Sequence, residues 1–257
     1  MELIFLGTGG GRINLIKQVR GTGGFRIESR SANIHVDPGP GALIHSIKNR
    51  LDPLSLDCVI VTHNHVDHVT DAMAMIEGMT HYGLKRRGII IGSRHTVLGD
   101  ESGDRGISSY HQSKVTTVHA AEWGKKASFR TDRGSFELLP VRMQHEEPTT
   151  FGFKLFLDGK VLGYVSDTEY IESLGTDFQG CDALIINCIK PEADRYGGHL
   201  WSGEAIKVLQ VAKPKKAVIT HLGIKMLRMG PAKEAERIGK EAGVEAVAAK
   251  DGMRLVV

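Results

Sequence analysis

The chain has 257 residues, of which 41% are hydrophobic and 25% charged, an ordinary globular composition with enough length to enclose a large core. No run of about 18 apolar residues occurs, and the opening ELIFLGTGGG is too short and Gly-rich for a signal peptide, so the expected location is cytoplasmic, with no membrane partner. A net charge of only +3 offers no strong field for a polyanion, and three cysteines fit neither a C-x-x-C metal motif nor a disulfide framework.

In chain order, short β-branched or aliphatic runs bounded by Gly, Asp or Ser read as strands: ELIFL, DCVIV and GIII, then FELLPVRM, FGFKLFL, KVLGYV, DALII and KAVIT. A helix is expected after DCVIVTHNHVDH, where the Met-rich AMAMIEGMTHYG reads as core more readily than as a homodimer interface. The polar stretch from Gly99 to Lys114 reads as a mobile loop. GEAIKVLQVAK carries apolar residues at helical spacing until Pro214 stops it, and PAKEAERIGKEAG has Pro231 for its first turn and Gly243 for its C-terminal cap. The basic clusters Lys85-Arg86-Arg87 and Lys213 to Lys216 read as solvated surface, with a nucleic-acid contact as the alternative. No repeat and no Pro/Ser linker divides the chain, so residues 1–257 are taken as one domain.

The chemistry is concentrated in DCVIVTHNHVDHVTD. An apolar strand runs into His63, His65, Asp67 and His68, four metal-ligand side chains in one turn. A surface His-rich turn is the alternative, but Val59-Ile60-Val61 anchors the segment on the core. His63, His145, Asp167 and His221 each follow a predicted strand, and strand-end loops converge in α/β proteins. Taken alone, His145 or His221 would read as a structural histidine; together with the turn they read as ligands.

The H-x-H-x-D-H turn resembles the signature of the metallo-β-lactamase superfamily. The resemblance extends through FLGTGGG, VDPGPG, QHEEPTTFGF, YVSDT, ITHLG and the closing DGM, in the family's order. It implies an α/β fold, the four-layer αββα metallo-β-lactamase sandwich. It also implies two divalent ions, with zinc suited to the nitrogen and oxygen donors and manganese or iron open. The carry-over places His63, His65 and His145 on one ion, Asp67, His68 and His221 on the other, and Asp167 between them. Asp37 resembles the carboxylate that orients a ligand histidine, although Asp-Pro also marks turns.

Such a centre supplies a water nucleophile near neutral pH, so hydrolysis is the natural class. Asp167 favours the phosphodiesterase or thioesterase branches over true β-lactamases. His199, in GGHLWSGEA, resembles the extra histidine of the ribonuclease Z and phosphoribosyl cyclic phosphodiesterase branch, which contacts the scissile phosphate; the helix-start reading is the alternative. His199 is therefore counted as catalytic, together with the ligand Asp67. Two departures bear on substrate. One predicted hairpin fills the span from His145 to Asp167, leaving no room for a transfer-RNA-gripping arm, and Asn187-Cys188-Ile189-Lys190 replaces the segment whose glutamate would partner the catalytic histidine. The expected substrate is a small or cyclic phosphodiester or a nucleotide, with Lys190 or Arg195 as phosphate contacts; RNA is not favoured. A thioester or lactone hydrolase is the main alternative, needing no His199. Transfer-RNA 3′ processing, a flavodiiron-type oxidoreductase, which would have glutamate where His65 stands, and a binding protein without catalysis rank below it.

Overall fold

A computed structural model describes residues 1–193 and 197–257. The strands of the first half are β1 (Glu2–Phe5), β2 (Phe25–Glu28), β3 (Asn33–Val36), β4 (Cys58–Val61), β5 (Ile89–Gly92), β6 (Thr117–Ala120) and β7 (Ala127–Arg130). Those of the second are β8 (Ser135–Arg142), β9 (Phe151–Leu157), β10 (Lys160–Val165), β11 (Ala183–Asn187), β12 (Lys216–Thr220), β13 (Ala246–Ala248) and β14 (Arg254–Val256). The helices are α1 (Gly11–Lys17), α2 (Ala42–Lys48), α3 (Val66–Val69), α4 (Ala72–Met79), α5 (Arg94–Leu98) and α6 (Ser109–Ser113). They continue with α7 (Leu174–Asp177), α8 (Ser202–Ala212), α9 (Ile224–Met229) and α10 (Pro231–Ala242).

Two seven-stranded sheets form, in the orders β14-β1-β2-β3-β4-β5-β6 and β13-β12-β11-β10-β9-β8-β7. Strand alternation builds the layers. Cys58 and Ile60 of β4 face the apolar cluster between the sheets, while Val59 and Val61 join Met75, Ile76 and Met79 of α4 on the other side. In β11, Ala183 and Ile185 face inward and Leu184 and Ile186 pack under α8 and α10. Strands buried on both faces read as unbroken apolar runs, as DCVIV and DALII do. The resulting order is helices, sheet, sheet, helices, the four-layer αββα sandwich expected from the sequence.

The Met-rich segment is core, since Met75 and Met79 are fully buried. The two expected helices end as expected: Gly243 caps α10 in the left-handed region at φ 71°, and Lys213 caps α8 just before Pro214. β9 and β10 form one tight hairpin through Asp158 and Gly159, both at positive φ, which is the turn that matches strand twist.

Three sequence readings change. Gly99 to Lys114 is not all loop, because Ser108 accepts from the His111 backbone and caps the short helix α6. β2 and β3 escape a reading for apolar runs because Arg26 and His35 sit side by side in their register, both fully buried. Burial lowers His35 to about 3, so it stays neutral, and donation between His35 Nε2 and the Gly23 carbonyl at 2.9 Å accounts for one ring nitrogen. The edge strands β13 and β14 are three residues each, too short for a periodic signal.

Of Lys85-Arg86-Arg87, Lys85 and Arg86 are exposed as expected, and Arg87 is structural. The Arg87 guanidinium donates to the carbonyls of Leu54, Leu56 and Met79 and to Asp57 Oδ1, and Arg133 takes the other oxygen of that carboxylate. Arg87→Ala removes the donor from Asp57 Oδ1 and from three carbonyls, while Arg133 and the Asn33 N–H keep Oδ2 paired. Its expected outcome is a destabilisation of about 2–4 kcal/mol in denaturant unfolding with metal content unchanged; parental stability would show the cluster to be mere surface.

Candidate metal centre

The ends of four strands deliver the ligand candidates to one place. His63 follows β4 by one intervening residue, Asp167 follows β10 in the same way, His145 lies just beyond β8, and His221 comes immediately after β12. His65 precedes α3, whose single turn carries Asp67 and His68. His221 holds a left-handed φ of 57°, and its ring lies against Gly10, where a Cβ would sit 2.2 Å from Nδ1. The close approach explains the bare GTGGG loop after β1.

The donor atoms face one another at short range. His65 Nδ1 lies 3.1 Å from His145 Nε2, and His68 Nε2 lies 3.2 Å from His221 Nε2. Oδ2 of Asp167 stands between the groups, 3.3 Å from His68, 3.4 Å from His221 and 3.7 Å from His63. Oδ2 of Asp67 is 3.3 Å from His221 Nε2. Four-coordinate zinc with bonds of about 2.0–2.1 Å holds its ligand atoms about 3.3 Å apart, so these spacings fit metal-bound donors. His63 Nε2 points the same way: it is buried with no hydrogen-bond partner, a costly state that a metal ion would relieve. Two groups have compatible geometry, His63, His65, His145 with Asp167, and Asp67, His68 with His221. Asp167, His199 and His221 meet the same spacing test, so His199 is within reach of the second position.

The surrounding contacts orient the rings. Asp37 Oδ2 takes His68 Nδ1 at 3.0 Å, the Tyr164 hydroxyl at 2.9 Å and the Thr62 hydroxyl at 2.9 Å, while Oδ1 accepts from the Thr62 backbone at 2.7 Å. Asp37 also makes the turn, with φ 50° and its carbonyl accepting from Gly39, so both sequence readings hold. Asn187 donates to Asp167 Oδ1 at 2.7 Å and to Tyr164 at 3.1 Å, leaving Oδ2 to the imidazoles. His145 donates through Nδ1 to the Gly198 carbonyl at 2.8 Å, which turns Nε2 inward.

Residues 32–222 match the family model described as the beta-lactamase superfamily domain. The chain belongs to the beta-lactamase superfamily. An uncharacterized protein of Methanocaldococcus jannaschii is 35% identical, covering 99% of this chain and 94% of its own. Ribonuclease Z of Metallosphaera sedula is 23% identical over 86% of this chain and 88% of its own. Among solved structures, the metallo-β-lactamase-fold protein YhfI of Bacillus subtilis superposes with a TM-score of 0.78 at 19% identity, over 99% and 98% of the two chains. A diphosphatase of the PhnP family superposes at 0.72 with 14% identity, over 100% and 98%. The superfamily fold and a cluster suited to divalent metal make this chain a metal-dependent hydrolase.

Electrostatics in this superfamily centre favour cations. Burial alone would raise Asp167, but the imidazoles of His221, His68 and His199 outweigh it and hold the carboxyl well below the usual range. Burial would likewise lower His68; Asp167, Asp67 and Asp37 overcome it and push the ring well upward. A proton on His68 therefore occupies the place a metal would take. His63 behaves oppositely, kept neutral by burial and by the neighbouring His68.

A cleft of about 760 Å³ opens over the cluster, lined by His65, Asp67, His145, Asp167 and His199 on one side and by α1 on the other. Burial lowers His199 to about 4, partly opposed by Asp167, whose Oδ2 lies 3.6 Å from Nδ1. Arg12, Leu15 and Ile16 of α1 also line the cleft and went unrecognised, because GRINLIK carries no motif. Lys190 is buried, its backbone bridges to Trp201, and it is not among the described residues that line the cleft. Arg195 lies outside the described residues.

Purified protein is expected to hold close to two divalent ions per chain by elemental analysis, and Asp167→Ala or His221→Ala to deplete them; a full complement in both variants would contradict the assignment. Acid should release the metal. The imidazoles must be neutral to ligate while Asp167 stays ionised, and His68 keeps its proton to a pH above the ordinary imidazole range, so affinity falls as pH drops and loading releases protons. Affinity independent of pH between 5 and 8 would contradict this.

Proposed function

We propose that this chain is a phosphodiesterase working through two divalent ions, zinc by preference, on a small or cyclic phosphodiester or a nucleotide. His199 carries the reading. Its imidazole stands on the cleft wall, partly exposed, with Nδ1 3.6 Å from Asp167 Oδ2 and its ring 5.1 Å from that of His145. An acyl-transfer hydrolase has no need of an imidazole there, whereas a phosphodiester has a poor alkoxide leaving group that one can protonate. The ribonuclease and diphosphatase names among the similar proteins support chemistry at phosphorus.

The ions, when bound, would supply a water nucleophile near neutral pH and offset charge developing on the phosphoryl oxygens. His63, His65 and His145 would hold one, Asp67, His68 and His221 the other, and Asp167 would face both through Oδ2. Burial holds His199 low in the free site; a bound phosphodiester anion beside it favours the charged ring, and His199 then gives a proton or a hydrogen bond to an oxygen of the phosphate.

RNA is disfavoured for two reasons. The span between His145 and Asp167 is taken up by the tight β9–β10 hairpin, so no arm projects from it. Three members of the basic clusters already pair with carboxylates, Arg87 with Asp57, Lys215 with Asp182 at 2.7 Å and Lys216 with Glu245 at 2.8 Å. A cytoplasmic location belongs to the same proposal; no helix among the described residues is long and apolar enough to cross a membrane.

Hydrolysis of an aryl phosphodiester is expected, abolished by chelation and restored by Zn²⁺ or Mn²⁺. His199→Ala should keep both metals and lose roughly 10²- to 10⁴-fold in turnover, less on esters with good leaving groups. Thioester or lactone cleavage without phosphodiesterase activity would overturn the proposal, as would near-normal turnover of every phosphodiester by His199→Ala.

A further inference from the structure

Glu169 lies two residues beyond Asp167, half-buried, and belongs to no ligand motif. Both of its carboxylate oxygens are engaged. Oε1 accepts from the Gly198 backbone N–H at 2.9 Å, and Oε2 accepts from Gln144 Nε2 at 3.0 Å. The Glu169 backbone N–H donates to the Gln144 carbonyl at 2.8 Å. The Gly198 carbonyl in turn accepts from His145 Nδ1 at 2.8 Å, and Gln144 is the residue before His145. The contacts close into a circuit: Glu169, Gly198, His145, Gln144 and back to Glu169. It joins the loops that carry Asp167, His145 and His199.

The glycines before His199 have a reason in this contact. A Cβ on Gly197 would lie 2.4 Å from Glu169 Oε1, and Gly198 has a φ of +82°. A bare, left-handed turn lets the carboxylate reach the backbone. The same turn is free to take other shapes once the carboxylate is removed.

We propose that Glu169 is a positioning residue for His199. By holding Gly198 it fixes the His145 tautomer, with Nδ1–H on the Gly198 carbonyl and Nε2 toward the metal centre, and it sets the approach of the next side chain in sequence. The proposal rests on the reading of His199 given above. A charge-assisted hydrogen bond to a backbone N–H supplies the rigidity. A misplacement of about 1 Å in a reacting group costs on the order of 10²-fold in rate.

The test compares Glu169→Ala, Glu169→Gln, His199→Ala and the Glu169→Ala/His199→Ala double variant. Assays use two aryl phosphodiesters, one with a good and one with a poor leaving group. Glu169→Ala should keep both metals, hold KM near the parent value and lose about 10- to 100-fold in kcat on the poor leaving group, with a smaller loss on the good one. Glu169→Gln, whose Oε1 can still accept from Gly198, should recover most of that loss. On the His199→Ala background, Glu169→Ala should add little, as expected for two residues acting through one group. The metal-free protein gives a readout independent of turnover: a protected imidazole N–H signal from His145 should be present in the parent and in Glu169→Gln and lost in Glu169→Ala. Parental kcat in Glu169→Ala on both esters, or a full additional loss on the His199→Ala background, would overturn the proposal. If His199→Ala itself proved near-normal, the phosphodiesterase reading would fail by itself; persistence of the His145 signal in Glu169→Ala would then overturn the positioning role, and its loss would uphold the Glu169–Gly198–His145 linkage.

Discussion

One carboxylate oxygen governs the centre. Oδ2 of Asp167 lies 3.3 Å from His68, 3.4 Å from His221, 3.6 Å from His199, 3.7 Å from His63 and 4.0 Å from His145. Five imidazoles cannot all donate to one oxygen, and a buried array of lone pairs turned on each other is stable only with cations among them. The chain supplies the other half of the arrangement by tying Oδ1 to Asn187, so that a single oxygen faces the cluster. The carboxylates of Asp37, Asp67 and Asp167 add charge that a proton on His68 meets in part and divalent ions meet more fully.

The sandwich makes that arrangement inexpensive to hold. β4, β10 and β12 are anchored in buried sheet, and each places its ligand within two residues of the last hydrogen-bonded position. Rigid elements carry the ligands, and the loops between them are cross-braced: Asp37 joins β3 to His68, and Glu169 joins the Asp167 loop to the His199 turn. Binding energy for a substrate can then be directed at the reacting atoms rather than at ordering the site.

Much of this was legible in the sequence because the ligands are local or follow obvious strands. His63, His65, Asp67 and His68 share one turn, and CVIV, LGYV and AVIT announce the strands that carry His63, Asp167 and His221. What escaped depends on contacts far apart in the chain. Tyr164 meets Asp37 across 127 residues, and Glu169 meets Gly198 across 29, with no periodic trace of either. β2 and β3 were hidden by Arg26 and His35, polar residues in buried sheet: Arg26 Nη2 donates to Ser55 and the Asp52 carbonyl and His35 Nε2 meets the Gly23 carbonyl, while Arg26 Nε and Nη1 and His35 Nδ1 are buried without a hydrogen bond. Lys190, whose place beside the motif suggested a phosphate contact, is buried, with its backbone bridged to Trp201.

A crystal structure of the metal-loaded protein, with anomalous scattering to locate the ions, tests the central claim most directly. The account expects two ions about 3.5–4 Å apart with Asp167 Oδ2 between them, three further ligands on each from the two groups above, and His199 free of both. A single ion, or His199 coordinating in place of His68 or Asp67, would contradict it.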